Sequence, residues 1–497
     1  MHPNKLRFIR ILLASIVGLI LLLYLFIQIP WVQNKLIQKA TQTLSSSLNT
    51  EVKVGKVGFA LFNRLDLQDV LIRDQQKDTL VYTHTLKLRI SDIFFSTTTP
   101  IIKYIGLEGT KIHLHRNTEQ WNYQFLLDFL NKGAQKKSKG YDLKKIEIAQ
   151  IDFVQDDEWV GQSMHLKSAN IIANFSQFND SLIQIDQLVA NKPFYTIQNK
   201  KGLRKNIPNK KKTFHPIDEL YFGNPNTIIL AKEIKITQGK LWIENDFAKP
   251  TPQFDGYHIR LNELNAQIEN ASFIKDTIKA KVVLSTKERS GFAIQQLKTQ
   301  FRMTPQIMEL NKLYLKTNKS ILGPYYAMEY KDLVEDFSDY IHKVNMRAHL
   351  INAQVASDDI AFFAPELTNI HQKVSTSFKF NGTVADFKTE GLSAQYNNSF
   401  VKGNFSMKGI PEMRTTQINF SEVFAKTNYP DLLQWIPSLS LIKDLQVNQL
   451  GNLIFQGKFN GTLYDFVADA NIQSALGNAN TAIRIQFPIN AEPIYEG

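Results

Sequence analysis

The chain has 497 residues, a formal net charge of +12 and no cysteine. The missing cysteine excludes disulfides, cysteine-ligated zinc, iron–sulfur clusters and thiol catalysis. The length suggests several domains, although internal repeats would weaken that expectation.

An uncharged apolar run from Ile11 to Ile27 is just long enough for a membrane-spanning helix. A cleaved signal peptide is the alternative, but no small-x-small cleavage site follows the run. We predict a cytoplasmic tail over residues 1–10, a single transmembrane anchor over 11–29 and export of the remainder. The basic residues before the run and the interfacial aromatic residues at its end are Lys5, Arg7, Arg10, Tyr24 and Trp31.

The next segment, residues 30–48, carries apolar residues at helical spacing. They are Val32, Leu36, Ala40 and Leu44, with Lys35 and Lys39 between them. We predict a juxtamembrane amphipathic helix, or else a plain spacer.

From Thr50 onward the apolar residues recur at every second position, as in "TIKAKVVLS" and "VKGNFSMKG". This alternation is typical of antiparallel strands with one apolar and one solvated face. Helical patterns are few: "FLLDFLNK", "YKDLVEDFSDYIHK" and two short proline-terminated segments. The fold class predicted is mainly β: an elongated antiparallel sheet on the order of 30 strands with a few short helices. Such a sheet either packs its interior with side chains or leaves an apolar groove.

One phrase occurs twice in the sequence, as "FNGTVADF" from Phe380 and as "FNGTLYDF" from Phe459. Asp359 and Asp431 each precede a proline by six positions upstream of the phrase. We predict two repeat units, about 357–407 and 429–487, each a short helix stopped by proline and then strands. The Asn-Gly pair is expected at the centre of a tight hairpin turn, and Asp358 and Asp359 as helix caps. Two chance hairpins are the alternative.

The segments "VKVGKVGFALFNRLDLQDVLIRDQQKDTLVYTHTLKLRISDIFF" and "IGLEGTKIHLHRNTEQWNYQFLLDFL" carry a family resemblance. With the anchor before them, they resemble TamB-type members of the AsmA-like family in the form seen in Bacteroidota. The matching positions are Leu65, Leu67, Asp69, Val70, Ile72, Asp74, Ile105, Leu107, Gly109, Ile112, Leu114 and Arg116. The strand pair "YDLKKIEIAQIDFVQDDE" and the repeated phrase also resemble family units.

This resemblance implies an inner-membrane anchored protein whose periplasmic part, residues 49–497, is a folded-over β-sheet, or repeating β-groove. It further implies that phospholipid acyl chains move along the groove between the inner and outer membranes. TamB-type members also act with an outer-membrane Omp85-type barrel. Family chains are often longer and carry a further C-terminal domain, so this sequence is either a short member or, as we favour, the front part of a longer protein.

The apolar strand faces are the candidate groove lining. They comprise Leu86, Leu88, Ile90, Ile278, Ala280, Val282, Leu284, Val401, Phe405, Met407, Phe455, Phe459, Ile483 and Ile485. Because acyl chains need only a continuous apolar surface, we expect the function to be spread along these positions.

The basic residues concentrate in loop-like segments, which are mobile solvated loops or contacts for anionic lipid headgroups. The candidate headgroup contacts are Lys200, Lys201, Arg204, Lys205, Lys210, Lys211 and Lys212. Nucleic acid is a poor fit because no interleaved aromatic surface accompanies the charge.

Three Asp-Ser/Thr-apolar triplets resemble O-glycosylation sites of periplasmic Bacteroidota proteins, with Thr79, Ser181 and Thr277 as acceptors. Ordinary Asx-type turns explain the same triplets. His113 and His115 share a strand face at metal-ligand spacing, but a solvated pair is the simpler interpretation.

We find no phosphate-binding loop, nucleophile elbow or HExxH motif, so neither an enzyme nor a cofactor is expected. The leading hypothesis is phospholipid transport along an apolar β-groove. The alternative is a scaffold for assembling outer-membrane β-barrels, in which exposed strand edges template client strands.

Overall fold

The computed structural model describes residues 15, 19, 21–22, 25–26, 28–60, 63–90, 102–133, 143–204, 226–435, 447–488 and 492–497. Over those ranges, no helix is both long enough and apolar enough to span a membrane. The predicted tail 1–10 lies outside the described residues, as does much of the predicted anchor 11–29.

The helices are short apart from the first. Over the range predicted for an amphipathic helix, α1 starts with a proline in its first turn, where the missing N–H is tolerated. It ends at Asn49, which adopts a left-handed conformation and donates its N–H to the Ser45 carbonyl. The helices whose bounds the structure describes are α1 Pro30–Leu48, α2 Gln124–Gly133, α3 Leu333–Ser338, α4 Tyr340–Lys343, α5 Ser357–Ile360 and α6 Tyr429–Trp435. Pro365–Leu367 and Val447–Leu450 form 3₁₀ turns.

Most of the described chain is one large mixed, mostly antiparallel sheet of 25 strands. The first thirteen are β1 Val52–Lys53, β2 Lys56–Ala60, β3 Arg64–Arg73, β4 Thr79–Ile90, β5 Ile102–Arg116, β6 Lys145–Asp157, β7 Gln162–Phe178, β8 Leu182–Asn191, β9 Phe194–Asn199, β10 Ile228–Asn245, β11 Ile259–Ile274, β12 Thr277–Glu288 and β13 Ala293–Met303. The others are β14 Ile307–Lys316, β15 Ile321–Leu322, β16 Pro324–Glu329, β17 Asn345–Ala356, β18 Lys373–Gly382, β19 Asp386–Tyr396, β20 Ser399–Lys408, β21 Gln417–Asn428, β22 Asn452–Gly461, β23 Asp465–Ser474, β24 Gly477–Gln486 and β25 Ile494–Glu496.

The sheet is mostly antiparallel, as predicted, but it is mixed, since three of its described strand pairs are parallel. The pair β5–β6 is parallel, and so are β8–β10 and β9–β10. A parallel pair needs a crossover connection, and α2 lies in the connection between β5 and β6. The predicted "FLLDFLNK" helix is therefore the element that makes this parallel pair possible.

The chain divides into two compact units. Unit 1 comprises Met1–Glu219, Asn226–Pro250 and Asp255–Asn265. Unit 2 comprises Leu220–Pro225, Thr251–Phe254 and Ala266–Gly497, and it contains both copies of the repeated phrase.

Each predicted repeat unit in unit 2 is a short helix followed by a run of three strands. In the first copy α5 precedes β18, β19 and β20, and in the second α6 precedes β22, β23 and β24. Consecutive strands within each copy pair as antiparallel neighbours.

The Asn-Gly pair does not lie at the centre of the hairpin turn, so this prediction is wrong. Asn381 and Gly382 end β18 instead of forming the turn, which runs from Thr383 to Asp386. Thr383 donates its N–H to the Asp386 carbonyl at 2.9 Å, and its hydroxyl oxygen accepts the Asp386 N–H at 3.1 Å. The Thr and Asp shared by the two copies of the phrase therefore form the turn, because each offers hydrogen-bonding groups that close it.

Two predictions about the short helices also need correction. The helix α5 ends at Ile360, and Pro365 begins a separate 3₁₀ turn; Pro437, the stop predicted for α6, lies outside the described residues. Asp359 does not cap α5: one of its carboxylate oxygens accepts the Lys319 and Ser320 N–H groups of the β14–β15 turn. The neighbouring Asp358 forms an ion pair with Lys319 at 2.9 Å, and its carboxylate lies 2.8 Å from the His371 ring Nδ1.

Candidate functional site

In unit 1, apolar side chains occupy the same cross-strand positions over seven neighbouring strands, β3 to β8 and β10. Two rows result, which we call the unit 1 lane. One row is Leu65, Leu88, Ile105, Ile146, Ala173, Leu188 and Ile234; the other is Leu67, Leu86, Leu107, Ile148, Ile171, Ala190 and Ile236. The parallel pair β5–β6 keeps both rows in register, so the apolar surface is uninterrupted.

Unit 2 has a similar arrangement over twelve strands, β12 to β14 and β16 to β24, although its rows also include Gly382, Gly461, Thr389 and Tyr326. Its two rows, the unit 2 lane, lie near one end of the strands. The outer row is Ile278, Met303, Met308, Met328, Met346, Gly382, Phe387, Met407, Ile418, Gly461, Phe466 and Ile485. The inner row is Ala280, Phe301, Leu310, Tyr326, Ala348, Phe380, Thr389, Phe405, Phe420, Phe459, Ala468 and Ile483. Since neighbouring strands are about 4.8 Å apart, the lane is roughly 50 Å long.

The burial of the unit 2 lane is intermediate. All of its members are half-buried except Ile418 and Thr389, which are buried. In a close-packed core, side chains of this size would be largely withdrawn from water. The opposite face is solvated, and Lys279, Lys281 and Lys402 are exposed. The lane therefore retains accessible apolar surface while the other face carries charge.

The structure brings together half of the predicted lining residues in the unit 2 lane. Seven belong to its two rows: Ile278, Ala280, Phe405, Met407, Phe459, Ile483 and Ile485. Val401 and Phe455 lie in a further row, in which Ala425 separates them. Val282 and Leu284 continue the lane face of β12 opposite Thr299 and Leu297.

In unit 1, Leu86 and Leu88 belong to the lane. Ile90 lies two positions after Leu88 on β4; it is buried and pairs with Ile102 of β5.

Of the five methionines in the outer row, the sequence analysis predicted only Met407. Five of the eight methionines of the chain lie in it, and four of these are consecutive cross-strand neighbours: Met303, Met308, Met328 and Met346. The flexible thioether side chain adapts to irregular apolar surfaces. Counting the methionines near the ends of the predicted strands would have revealed this cluster.

Small buried residues lie beside β-bulges in both units. In unit 1, Thr83 and Thr110 are buried, and their hydroxyls lie 2.8 Å apart. In unit 2, Thr376, Val423 and the lane member Thr389 are buried beside register shifts in the ladder. Bulges bend the strands that contain them, and small side chains leave room at the bend.

The described part of the candidate headgroup segment is held by the β6–β7 hairpin. The Lys200 ammonium lies 2.7 Å from the Asp156 carboxylate, and the N–H groups of Leu203 and Arg204 donate to carbonyls of that hairpin. Lys201 is also among the described residues, whereas Lys205, Lys210, Lys211 and Lys212 lie outside them. Lys200 is thus already paired with a carboxylate.

Of the three predicted glycosylation acceptors, Thr79 and Ser181 are exposed and Thr277 is half-buried. Ser181 donates its hydroxyl to Asn179 at 2.9 Å inside an Asx-type turn. The predicted role as acceptors stays a prediction.

The rings of His113 and His115 lie 5.6 Å apart. His115 also contacts Asn122, with 3.0 Å between the ring Nδ1 and the amide nitrogen. The described ranges contain no group of three or more His, Cys, Asp or Glu side chains that could hold a metal ion.

Comparisons with known proteins identify no relative: no family model, curated protein or solved structure matches the chain.

Proposed function

We propose that this protein is anchored in the inner membrane and carries phospholipid acyl chains through the periplasm along its apolar lanes. The observation that carries the proposal is the continuous, half-buried apolar surface of the unit 2 lane over twelve strands. The proposal includes the AsmA-like, TamB-type relationship suggested by the sequence.

The physical basis is the cost of exposing hydrocarbon to water. Each CH₂ group of an acyl chain gains about 0.8 kcal/mol when it leaves water for an apolar surface. Because the rows are continuous from strand to strand, a chain could advance by small steps without losing this contact. The bulges next to each lane along the strands would bend the sheet and bring more apolar surface around the lipid, forming a groove.

A crosslinking experiment tests occupancy of the lane. A photoreactive amino acid is placed at Phe405 or Phe459, and at Lys281 or Lys402 on the solvated face as controls. The protein is mixed with vesicles of phosphatidylethanolamine and phosphatidylglycerol, irradiated and analysed by mass spectrometry. We expect phospholipid adducts at the lane positions only. Equal labelling of both faces, or no adducts, would overturn the proposal and favour the scaffold hypothesis with its Omp85-type partner.

A charge in the lane should block transfer. Phe405→Asp places a carboxylate between Thr389 and Phe420, where it lacks a cationic partner and repels acyl chains. We expect lipid transfer between donor and acceptor vesicles to fall at least tenfold, since burial of an unpaired charge costs several kcal/mol.

The matched control is Phe405→Leu, which keeps the surface apolar and should transfer at close to the wild-type rate. Circular dichroism of both variants establishes that the sheet is intact. Normal transfer by a folded Phe405→Asp variant would contradict the proposal.

A further inference from the structure

The connection from β16 to β17 differs from the turns at the same end of neighbouring strands. The connection between β13 and β14 consists of residues 304–306 alone, and the connection between β18 and β19 consists of residues 383–385 alone. Between β16 and β17 the chain instead forms α3 and α4. An antiparallel pair can be joined by a two-residue turn, so the ladder does not require this longer segment.

The extra segment reaches back onto the unit 2 lane. The Tyr340 hydroxyl lies 3.1 Å from the Tyr326 hydroxyl, 3.2 Å from Met346 Sδ and 3.6 Å from Met328 Sδ. All three partners are members of the lane. Tyr340 therefore covers the lane surface of β16 and β17.

Two further contacts extend this cover. The Phe337 ring packs edge-on between Tyr330 and Tyr340, with ring centres 5.4 and 5.7 Å apart. The Ala385 N–H donates to the Ile341 carbonyl at 3.0 Å, which ties α4 to the β18–β19 turn. The segment thus spans from the β16 end to the turn of the first repeat copy.

The attachment is light. The structure describes all of α4, and none of its residues is buried, while Glu335, Ser338 and His342 are exposed. Asp336 of α3 is buried, but its carboxylate accepts the N–H groups of Lys331 and Asp332 within the same segment. Helices as short as α3 and α4 have little stability of their own, and elements with few buried contacts open at low cost.

We propose that residues 331–343 form a lid that closes the unit 2 lane at β16 and β17, with Tyr340 as the residue that holds it shut. Opening exposes Met328, Met346 and Tyr326 and joins the lane on the β12–β14 side to the lane on the β18–β24 side. The inference deepens the proposed function, because the lid would control passage along the lane. Its opening can nevertheless be measured without lipid.

The absence of natural cysteine allows a direct measurement. A single cysteine replaces Met328 beneath the lid, and its labelling rate with a maleimide reports the open fraction. Met407→Cys, in the same row but away from the lid, is the reference. We expect Tyr340→Phe to raise labelling at position 328 about fivefold, as loss of one neutral hydrogen bond predicts, with no change at 407. Equal rates in both backgrounds would overturn the lid.

A second variant closes the lid covalently. Ile341→Cys with Ala385→Cys joins two positions already linked by a backbone hydrogen bond, within the usual reach of a disulfide. In the vesicle-transfer assay, we expect the oxidised form to slow transfer severalfold and the reduced form to restore it. Transfer that is unaffected by oxidation would overturn the lid. Absence of transfer in every form would count against the proposed function, and the labelling result alone would then decide whether the lid exists.

Discussion

The two copies of the repeat share their hairpin turn in detail. In the first, Phe380 and Phe387 stack with ring centres 4.9 Å apart; in the second, Phe459 and Phe466 stack at 4.8 Å. The glycine that ends the strand has φ of +139° in one copy and +140° in the other. The repeated letters therefore specify one physical unit: a Thr–Asp turn beneath a pair of stacked rings.

The copies differ where the strands approach their middle. In the first copy, Gly391 sits in a bulge of β19 with φ of +62°, and the ladder shifts register there. In the second copy the ladder between β22 and β23 is unshifted, and Gly457 brings the strands together. A Cβ atom at Gly457 would lie 2.1 Å from the Asp469 carbonyl oxygen, whereas one at Gly391 would have no atom within 4 Å. The two copies therefore differ in the middle of their strands. The first copy has a bulge with an extra residue, whereas the second has a glycine whose missing side chain allows the strands to approach closely.

The largest expected effect separates these two glycines. Gly457→Ala should destabilise the β22–β23 pair by about 3 kcal/mol, because the methyl group meets backbone that cannot move aside. Gly391→Ala should cost only about 1 kcal/mol, the penalty of a left-handed alanine. Hydrogen–deuterium exchange of the flanking strands measures both losses. Similar losses at the two positions would contradict the distinction between a bulge and a close approach.

The aspartates upstream of each phrase give a second comparison. Asp359 and Asp431 are both buried, and each binds the turn of an earlier hairpin. One Asp359 oxygen accepts the Thr317 hydroxyl and the Ser320 N–H, at 2.5 and 2.7 Å. One Asp431 oxygen accepts the Ser399 hydroxyl at 2.6 Å. The sequence repeat therefore encodes a clamp between a short helix and the hairpin before it.

Removal of either clamp should cost about 2 kcal/mol, since buried donors lose their acceptor. We expect Asp431→Ala to loosen the β19–β20 turn and Asp359→Ala the β14–β15 turn, each measured by exchange of the turn amides. Asp386→Ala, at an exposed position, is the control and should leave both turns unchanged. Loosening of both turns by a single variant would show that the clamps are not local.

The second clamp also predicts a dependence on pH. Burial alone would raise the pKa of the Asp431 carboxyl, but hydrogen bonds from Ser399, Asn397 and Asn428 outweigh burial and hold the pKa below its ordinary value. A depressed pKa in the folded state contributes stability above the unfolded value, near 4, and loses it as pH falls through the folded value. The β19–β20 turn should therefore loosen in acid in the wild type, and Asp431→Ala should remove that change.

The alternating patterns predicted the mainly β fold and the exposed lysines such as Lys281 and Lys402, because a strand's two faces follow from spacing alone. They did not predict the parallel pairs, since the register between β5 and β6 depends on a crossover that periodicity does not record. The Met303–Met346 ladder was missed because bulges such as that at Lys312 interrupt the alternation within single strands. The lid contact of Tyr340 was missed because a helix pattern does not indicate which strand face the helix covers.

The smallest expected effect tests whether the stacked rings matter for the turn they cover. Phe380→Leu and Phe459→Leu keep an apolar side chain but remove the ring contact, which should cost about 1 kcal/mol in each copy. Because the ring geometry is nearly identical, the two losses should agree closely, as measured by exchange of the Thr383–Asp386 and Thr462–Asp465 turn amides. A larger loss at Phe380 would point to the lid, whose Ile341 carbonyl is bound only by the first copy's turn. Addition of Tyr340→Phe would then separate the two contributions, since the excess should disappear once the lid is loosened.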